Sequence, residues 1–331
     1  MVNGPLRGGI AGCGYFGQIQ LEAWGRIPGV EIVAACDRDV QRARASAPAA
    51  YADAGEMLRR EKLDFLDVAT RPDSHLPLVR LAARYKVPLI CQKPMAPEWE
   101  AAVAMVEAAE AAETPFMIHE NWRWQPWYRE TRRRIDAGDI GEPVSYSFQI
   151  RQADGLGGHP YPKQPYFAQM PRLLIYETMV HQIDTARFLF GDVASVTARS
   201  RRVNPIIAGE DQAIIVLTHT DGLLGLVDAN RFAFPSPKGP AMGVTRIDGV
   251  EGTITIPATG EIVLNETKVW NPPPEEFYKG DSVRATQEHF IQCLRSGNEF
   301  ESSGREYLKT FAVVEAAYRS AAGGEAVRID Q

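Results

Sequence analysis

Residues 8–24 read GGIAGCGYFGQIQLEAW, and this stretch decides the fold of the first part of the chain. A short apolar run enters a turn that carries Gly12, Gly14 and Gly17 in the order G-x-G-x-x-G, and a helical pattern follows. Glycines in this order allow a tight turn, close approach of the backbone to a pyrophosphate, and close packing of helix on strand. The N–H groups at the start of the helix are then available to phosphates. We therefore predict a dinucleotide-binding turn.

The end of the next strand indicates which dinucleotide binds. Asp37 ends the run EIVAACD, 20 residues after Gly17, where a carboxylate can bind the ribose hydroxyls. This acid favours NAD, because the 2′-phosphate of NADP would meet a like charge. Arg38 keeps NADP open, since a guanidinium can pair with a phosphate. Tyr15 and Phe16, which lie between the glycines, are assigned to the same cofactor site.

Short apolar runs alternate with helical patterns through the first 121 residues. Strands that alternate with helices of this length predict βαβ units and a doubly wound parallel sheet, the Rossmann fold. After that point the chain contains hairpin-spaced strands with turn signals such as TDG and ATG, which favour a largely antiparallel sheet. Two helical segments close the chain. We predict an α/β protein with a dinucleotide-binding domain over 1–121 and a second α/β domain over 122–331.

Composition excludes several classes of function. The chain has 331 residues, of which 45% are hydrophobic and 24% charged, which is ordinary for a two-domain globular protein. The net charge of −6 argues against nucleic-acid binding, which needs a basic face. The arginine-rich run RETRRRID at 129–136 is expected to form the exposed side of a helix.

Cysteine usage and hydropathy indicate a cytoplasmic protein. The four cysteines are scattered, with no CxxC pair and no Cys/His cluster of zinc spacing, so neither a disulfide nor a metal site is expected. The chain contains no apolar run of 18 residues, and its first residues lack the pattern of a signal peptide, so we expect no membrane association.

Residues 175–190, IYETMVHQIDTARFLF, combine an apolar pattern with Glu177, His181 and Asp184. On an α-helix these three residues, at i, i+4 and i+7, share one face, and the apolar residues gather opposite. We predict an amphipathic helix. The spacing alone leaves two interpretations open, a charged surface face or the acid–base groups of an enzyme.

Other polar residues follow the predicted parallel strands, where ligands of open α/β sheets bind. Lys93 ends the strand VPLICQ and precedes Pro94, and its ammonium could donate to a reacting oxygen. His75 is equally well explained as a helix cap or a satisfied polar group. The further candidates at this edge are Thr70, Pro72, His75, Gln92 and Asn121 for the cofactor and Arg123 for the substrate.

The longest irregular stretch covers 153–172, ADGLGGHPYPKQPYFAQMPR. Segments of this length without regular structure are often binding loops. Tyr161 and Tyr166, with Lys163 and Gln164, offer hydroxyl, amine and amide groups to a polyhydroxylated substrate.

Five motifs in order give the chain a resemblance to the Gfo/Idh/MocA oxidoreductases, and the likeness covers nearly its whole length. They are GIAGCGYFG at 9–17, DVATRPDSHLPLVRLAARYKVPLICQKPMA at 67–96, ENWRWQP at 120–126, ETMVHQID at 177–184 and the segment 301–329. Three positions depart from the family pattern: Gln92 stands where Glu usually precedes Lys-Pro, Glu177 replaces the commoner Asp, and Met179 replaces the usual Gly.

The resemblance implies a Rossmann domain, a C-terminal α/β domain with an open, mostly antiparallel sheet, and a homodimer or homotetramer formed through that sheet. It implies NAD(P)-linked oxidation or reduction at one carbon of a sugar or polyol. The family's catalytic lysine and histidine correspond to Lys93 and His181, and its acid to Glu177. We expect His181 to act as the general base, Lys93 to stabilise the alkoxide and Glu177 to steady His181. Asp184 is expected to orient the substrate or the imidazole ring.

Three other functions remain open at this stage. The chain could be an NADPH-dependent carbonyl reductase of the ketose or dihydrodiol type, or a non-catalytic regulator that senses NAD(P). An NAD-dependent glycosidase is a further alternative. Retention of both Lys93 and His181 weighs against the regulator.

Overall fold

A computed structural model describes residues 4–234, 238–274 and 277–329. Within them the chain forms two compact units. The first comprises the residues up to Asn121 together with Val283–Leu308, and the second comprises Trp122–Ser282 together with the residues from Lys309 onward.

The first unit contains a parallel sheet of six strands in the order β3-β2-β1-β4-β5-β6. This order is that of dinucleotide-binding folds, so the predicted Rossmann fold is confirmed. The short β3 and the short helix α2 had no counterpart in the sequence prediction. The elements are β1 (Leu6–Ala11), α1 (Tyr15–Trp24), β2 (Val30–Cys36), α2 (Val40–Arg44), β3 (Ala49–Tyr51), α3 (Ala54–Arg60), β4 (Phe65–Val68), a 3₁₀ turn (Pro72–Ser74), α4 (His75–Arg84), β5 (Leu89–Gln92), α5 (Trp99–Ala111) and β6 (Phe116–His119).

The second unit contains a sheet of nine strands in the order β14-β13-β12-β11-β7-β10-β9-β8-β15. Strands β7 and β10 pair in parallel, and the other neighbouring strands described in this sheet pair antiparallel, so the predicted, mostly antiparallel sheet is confirmed. The elements are a 3₁₀ turn (Trp122–Trp124), α6 (Pro126–Asp136), β7 (Pro143–Arg151), a 3₁₀ turn (Pro165–Gln169), a π-helical segment (Leu174–Met179), α7 (Val180–Phe190), β8 (Val193–Arg201), β9 (Gln212–His219), β10 (Leu224–Asn230), β11 (Gly243–Gly249), β12 (Thr253–Ile256), β13 (Ile262–Leu264), β14 (Thr267–Trp270) and β15 (Val327–Arg328).

The two closing helices are α8 (Ser282–Ser296) and α9 (Gly304–Gly323), as expected from their patterns. The first unit contains the residues up to Asn121 and also Val283–Leu308, whereas the sequence prediction places all of 122–331 in the second domain. Apolar packing explains the difference: Phe290 and Ile291 are buried in a cluster with Trp24 and Phe65. Local periodicity cannot reveal such a long-range contact.

No helix in the described parts of the chain is long and apolar enough to cross a membrane. All four cysteines are buried and carry free thiols in the structure.

Candidate active site

The glycine turn of the first unit has the geometry that a dinucleotide requires. Gly12 has a φ of +99°, which side chains rarely adopt, and a Cβ there would lie 2.6 Å from the Ala69 carbonyl oxygen. A Cβ on Gly17 would lie 2.2 Å from the Gly12 oxygen, so this glycine lets α1 pack against the turn. At Gly14, by contrast, a Cβ would meet no described atom within 4 Å. The turn is therefore closely packed on the protein side and open at Gly14.

The start of α1 and the end of β2 complete this half of the site. Gly14 is the N-cap of α1 and has no side chain to occupy the N–H groups of the first turn. Asp37 is held by the backbone, since its Oδ2 accepts from the Cys13 N–H at 2.8 Å and its Oδ1 accepts from the Asp39 N–H at 2.9 Å. The open glycine, the helix N-terminus and the fixed carboxylate fit NAD. Arg38 is exposed beside them.

The two aromatic residues of the turn differ in exposure. Tyr15 is 48% exposed, whereas Phe16 is half-buried and meets the edge of the His119 ring at a centroid distance of 6.3 Å. Their assignment to the cofactor stays a prediction.

His75 links two loops that follow parallel strands. Its Nδ1 lies 3.0 Å from the Met95 carbonyl oxygen and its Nε2 lies 3.1 Å from that of Thr70. Burial lowers the pKa of His75, so the ring is neutral near pH 7 and donates to one of the two oxygens. The ring is also fully buried. The ring therefore lies between the loop after Lys93 and the loop after β4, and its burial favours the interpretation as a buried polar group over the predicted cofactor contact.

The other strand-end candidates lie where the sequence predicted. Thr70 and Pro72 are half-buried, and the Thr70 Oγ1 accepts from the Ser74 hydroxyl at 2.7 Å. Lys93, also half-buried, directly follows β5. Asn121 is 1% exposed.

Gln92, the last residue of β5, is 5% exposed, and its Nε2 has no hydrogen-bond partner among the described residues. A buried donor without a partner costs about 1–3 kcal/mol, so a ligand that accepts from it would recover this energy. Gln92 therefore fits a position that a bound cofactor or substrate satisfies.

The segment that carries Glu177 and His181 differs from the predicted amphipathic helix. Residues Leu174–Met179 are π-helical, with i→i+5 hydrogen bonds, and the α-helix begins at Val180. The i, i+4 argument, which assumes an α-helix, therefore does not hold across Glu177 and His181. Of the two interpretations that the spacing left open, burial excludes the charged surface face, because every residue of α7 except Phe188 and Phe190 is buried.

His181 and Glu177 have well-defined neighbours within the second unit. The His181 ring is 6% exposed and stacks on Trp122, with centroids 4.6 Å apart and ring planes 22° apart. Glu177 accepts a hydrogen bond from the Thr178 hydroxyl at 2.9 Å, and its Oε2 lies 3.7 Å from Nη1 of Arg231. Trp122 thus fixes the plane of the imidazole, and Arg231 supplies a positive charge beside the carboxylate.

Asp184 and Arg123 form a buried ion pair, which differs from their predicted roles as substrate contacts. Nε and Nη2 of Arg123 each donate to the Asp184 carboxylate at 2.7 Å, and the Thr310 hydroxyl donates to it at 3.0 Å. Asp184 is 0% exposed and Arg123 is 5% exposed. The carboxylate therefore anchors Arg123 and Thr310 rather than a substrate hydroxyl.

The loop over 153–172 is ordered by its own side chains. Tyr161, predicted as a substrate contact, is 1% exposed and packs in a small core with Phe167, Leu173 and Ile207. Burial raises the pKa of Tyr161 to about 12, so its hydroxyl stays protonated near neutral pH. Tyr166 is half-buried and accepts from Gln164 Nε2 at 2.9 Å. Tyr161 is therefore a packing residue, whereas Tyr166 keeps part of its surface open.

Two residues of this region were not among the predicted site residues. Trp122 lies in the ENWRWQP motif, but its stacking on His181 could not be anticipated from the sequence. Arg231 follows β10 in a sequence without any motif, and no signal pointed to it.

The fold and the glycine turn define a dinucleotide-binding oxidoreductase. Residues 6–120 match the Gfo/Idh/MocA oxidoreductase family, NAD-binding Rossmann fold, and residues 128–255 match the Gfo/Idh/MocA C-terminal domain. The chain belongs to this family, as its motifs predicted, and NAD as the cofactor is confirmed at the level of the family.

Relatives with assigned names match over almost the full length. The D-apiose dehydrogenase of Paraburkholderia graminis is 40% identical, over 98% of this chain and 90% of its own. The D-apiose dehydrogenase of Rhizobium rhizogenes is 38% identical, over 98% of this chain and 97% of its own. Among solved structures, an oxidoreductase from Agrobacterium radiobacter in complex with NAD+, L-tartaric acid and magnesium superposes with a TM-score of 0.89 at 38% identity, covering 98% of both chains.

Proposed function

We propose that the protein is an NAD-dependent dehydrogenase that reversibly oxidises one hydroxyl of a sugar, and that D-apiose is the first substrate to test. The observation that carries this proposal is the near-full-length likeness to two D-apiose dehydrogenases at 38–40% identity. Lys93 and His181 stand at the positions of the family's catalytic pair, which supports catalysis over a purely regulatory role.

The proposed chemistry divides the work between two side chains. Oxidation of a C–H/O–H unit removes a proton from oxygen and a hydride from carbon, and bound NAD supplies the hydride acceptor. We assign His181 as the general base that takes the hydroxyl proton, the step for which histidine is used most often. Lys93 donates a hydrogen bond to the same oxygen and stabilises the negative charge that develops as the proton leaves.

Glu177 and Trp122 support the histidine in this proposal. Once His181 has accepted the proton, the carboxylate of Glu177 stabilises the imidazolium by opposite charge. Stacking on Trp122 holds the ring in one plane, and an aromatic face also favours a neighbouring cation. In this proposal Glu177 and Trp122 therefore support the ring that receives the proton.

The choice between NAD and NADP depends on Asp37. Its carboxylate is fixed by two backbone N–H groups, so it cannot easily turn away from a 2′-phosphate. Exposed Arg38 is the feature that would favour NADP. An NADPH-dependent carbonyl reductase is therefore the second candidate function.

We also propose a homodimer or homotetramer formed through the nine-stranded sheet. Neighbouring strands β9 and β10 expose apolar side chains on one face: Ile214 is 44% exposed, Val216 39%, Leu224 52% and Leu226 39%. Val216 and Leu226 are direct cross-strand partners, so the apolar surface is contiguous. Light scattering should give the mass of a dimer or a tetramer, and Leu226→Glu should lower it. A monomeric wild-type protein would reject this assembly.

A thermal-shift series followed by an activity panel tests the proposed function. NAD should raise the melting temperature more than NADP at equal concentration, and D-apiose should then give NADH faster than myo-inositol or other polyols. Stabilisation by NADP alone would favour the carbonyl reductase. Stabilisation by neither dinucleotide would reject the dehydrogenase. The cytoplasmic location and the absence of nucleic-acid partners stay predictions from the sequence.

A further inference from the structure

Arg231 occupies the centre of a polar cluster that the proposed mechanism does not yet use. Its side chain is 4% exposed. Nε and Nη2 donate to the two oxygens of Asp154 at 3.1 and 2.7 Å, and Nη1 donates to the Thr178 hydroxyl at 2.7 Å. The same Nη1 lies 3.7 Å from Oε2 of Glu177. One guanidinium therefore contacts both the irregular loop, through Asp154, and the π-helical segment, through Thr178 and Glu177.

Aromatic packing holds the guanidinium in this position. Its central carbon lies 4.9 Å from the centroid of the Tyr161 ring and 5.3 Å from that of Phe167. Both rings belong to the small core that orders the loop. Arginine is favoured over lysine at such a place, because only its planar guanidinium group can pair with both oxygens of a carboxylate and also lie against aromatic rings.

The backbone around Arg231 is also constrained. The Arg231 N–H donates to the Asp211 carbonyl at 3.0 Å, and its own carbonyl accepts from the Gly155 N–H at 2.8 Å. A Cβ on Gly155 would lie 2.8 Å from this carbonyl oxygen, so glycine is needed for the close approach. The loop is thus tied to Arg231 through both its backbone and its side chain.

We propose that Arg231 is a positioning residue that couples the 153–172 loop to Glu177, so that the geometry of the loop and the position of this carboxylate are set together. This inference rests on the proposed function, since Glu177 matters only if the segment carries out proton transfer. Two carboxylates, Asp154 and Glu177, lie within 4 Å of one guanidinium. Removing the guanidinium would leave these charges without their shared cation and would release the loop from the segment.

Two variants separate geometry from charge. Arg231→Lys keeps the positive charge but loses the bidentate geometry of the guanidinium group. We expect kcat/KM for the sugar to fall about 100-fold, which is the effect of misplacing a reacting group by about 1 Å. Asp154→Asn weakens only the attachment of the loop, so KM for the sugar should rise about 10-fold while kcat changes by less than about twofold. The KM for NAD should stay within about twofold in both variants, because the glycine turn lies in the other unit.

Arg134 provides the matched control. It is a mostly buried arginine of α6 that also pairs with two carboxylates, Glu130 at 2.9 Å and Asp139 at 3.0 Å. Arg134→Lys should leave kcat and both KM values within about twofold. An equal loss of activity in Arg134→Lys and Arg231→Lys would mean a general structural effect and would overturn the proposal.

Hydrogen exchange supplies a readout that does not depend on activity. In Arg231→Lys, amides of 153–172 and 174–181 should exchange about 10-fold faster than in the wild type, and those of α6 should not change. Unchanged exchange would overturn the coupling even if the wild type oxidises sugars. Wild-type kinetic constants in Arg231→Lys would overturn the positioning role even if exchange accelerates. If exchange accelerates but the wild type oxidises no sugar, the proposed function fails and the coupling does not.

Discussion

Asp67 lies on β4 with its side chain fully buried, and two side chains of α1 donate hydrogen bonds to its carboxyl group. Nε1 of Trp24 donates to one carboxyl oxygen at 2.7 Å and Nε2 of Gln20 donates to the other at 2.9 Å. Burial raises the pKa of Asp67 to about 7, because loss of hydration outweighs the two hydrogen bonds. The carboxyl group therefore titrates near neutral pH in the core of the first unit.

This carboxyl group makes the stability of the protein fall as the pH rises. The folded state holds its proton up to about pH 7, whereas the unfolded chain releases it near the ordinary value of 3.8. Between these values the folded state therefore binds more protons than the unfolded chain, so the stabilisation is fully present below the unfolded pKa and is lost as the pH rises through the folded pKa. A gap of about 3 pH units, at about 1.4 kcal/mol each, corresponds to about 4 kcal/mol. About 3 kcal/mol of this should be lost between about pH 5 and about pH 8.

Urea unfolding of the wild type and Asp67→Asn across this range measures the effect. Asparagine does not titrate, so the free energy of unfolding of the wild type relative to the variant should fall by about 3 kcal/mol as the pH rises from about 5 to about 8. The variant also turns an amide donor toward one of the donors on α1, which lowers its stability at all pH values. If the free energy of unfolding changed with pH by the same amount in the wild type and in Asp67→Asn, the reasoning would be refuted.

Two further predictions concern close packing and charge burial. Gly17→Ala should abolish NAD binding and lower the stability of the protein, because the new Cβ would lie 2.2 Å from the Gly12 carbonyl oxygen. Gly14→Ala has open space at its Cβ, so this variant should fold normally and only bind NAD more weakly. Calorimetric titration with NAD and melting curves check both variants. Equal melting temperatures of Gly17→Ala and Gly14→Ala would contradict this prediction. Asp184→Asn should destabilise the second unit by about 3–5 kcal/mol, because Arg123 would stay buried without its anionic partner. Urea unfolding checks this value, and a loss below about 1 kcal/mol would contradict it.

Local sequence patterns predicted the first unit well because its signals are short-range. The glycine order of the turn and the alternation of strands with helices depend on neighbouring residues, and both are present in the structure. The placement of Val283–Leu308 depends on Phe290 packing against Trp24, more than 200 residues away in the chain, and no local pattern reports such a contact. The three-residue β3 has too few side chains to show periodicity.

The candidate site was predicted in its residue types but not in its contacts. The polar pattern of Glu177, His181 and Asp184 assumes an α-helix, and the π-helical turn changes which of these residues share a face. Asp184 was expected to orient the substrate or the imidazole ring, yet it is buried and pairs with Arg123. Arg231 could not be found from the sequence, since its partners come from two segments that lie more than 50 residues before it, the 153–172 loop and the π-helical segment.

The formation of NADH from D-apiose by the wild type, Lys93→Met and His181→Asn tests the central claim most directly. Absorbance at the NADH band should rise with the wild type, and each variant should lower kcat by about 10²–10⁴-fold, the range for loss of a general base or a charge-stabilising donor. NAD should bind all three proteins with similar affinity. Turnover by His181→Asn at the wild-type rate would contradict the account, and so would a wild type that binds NAD but oxidises no sugar.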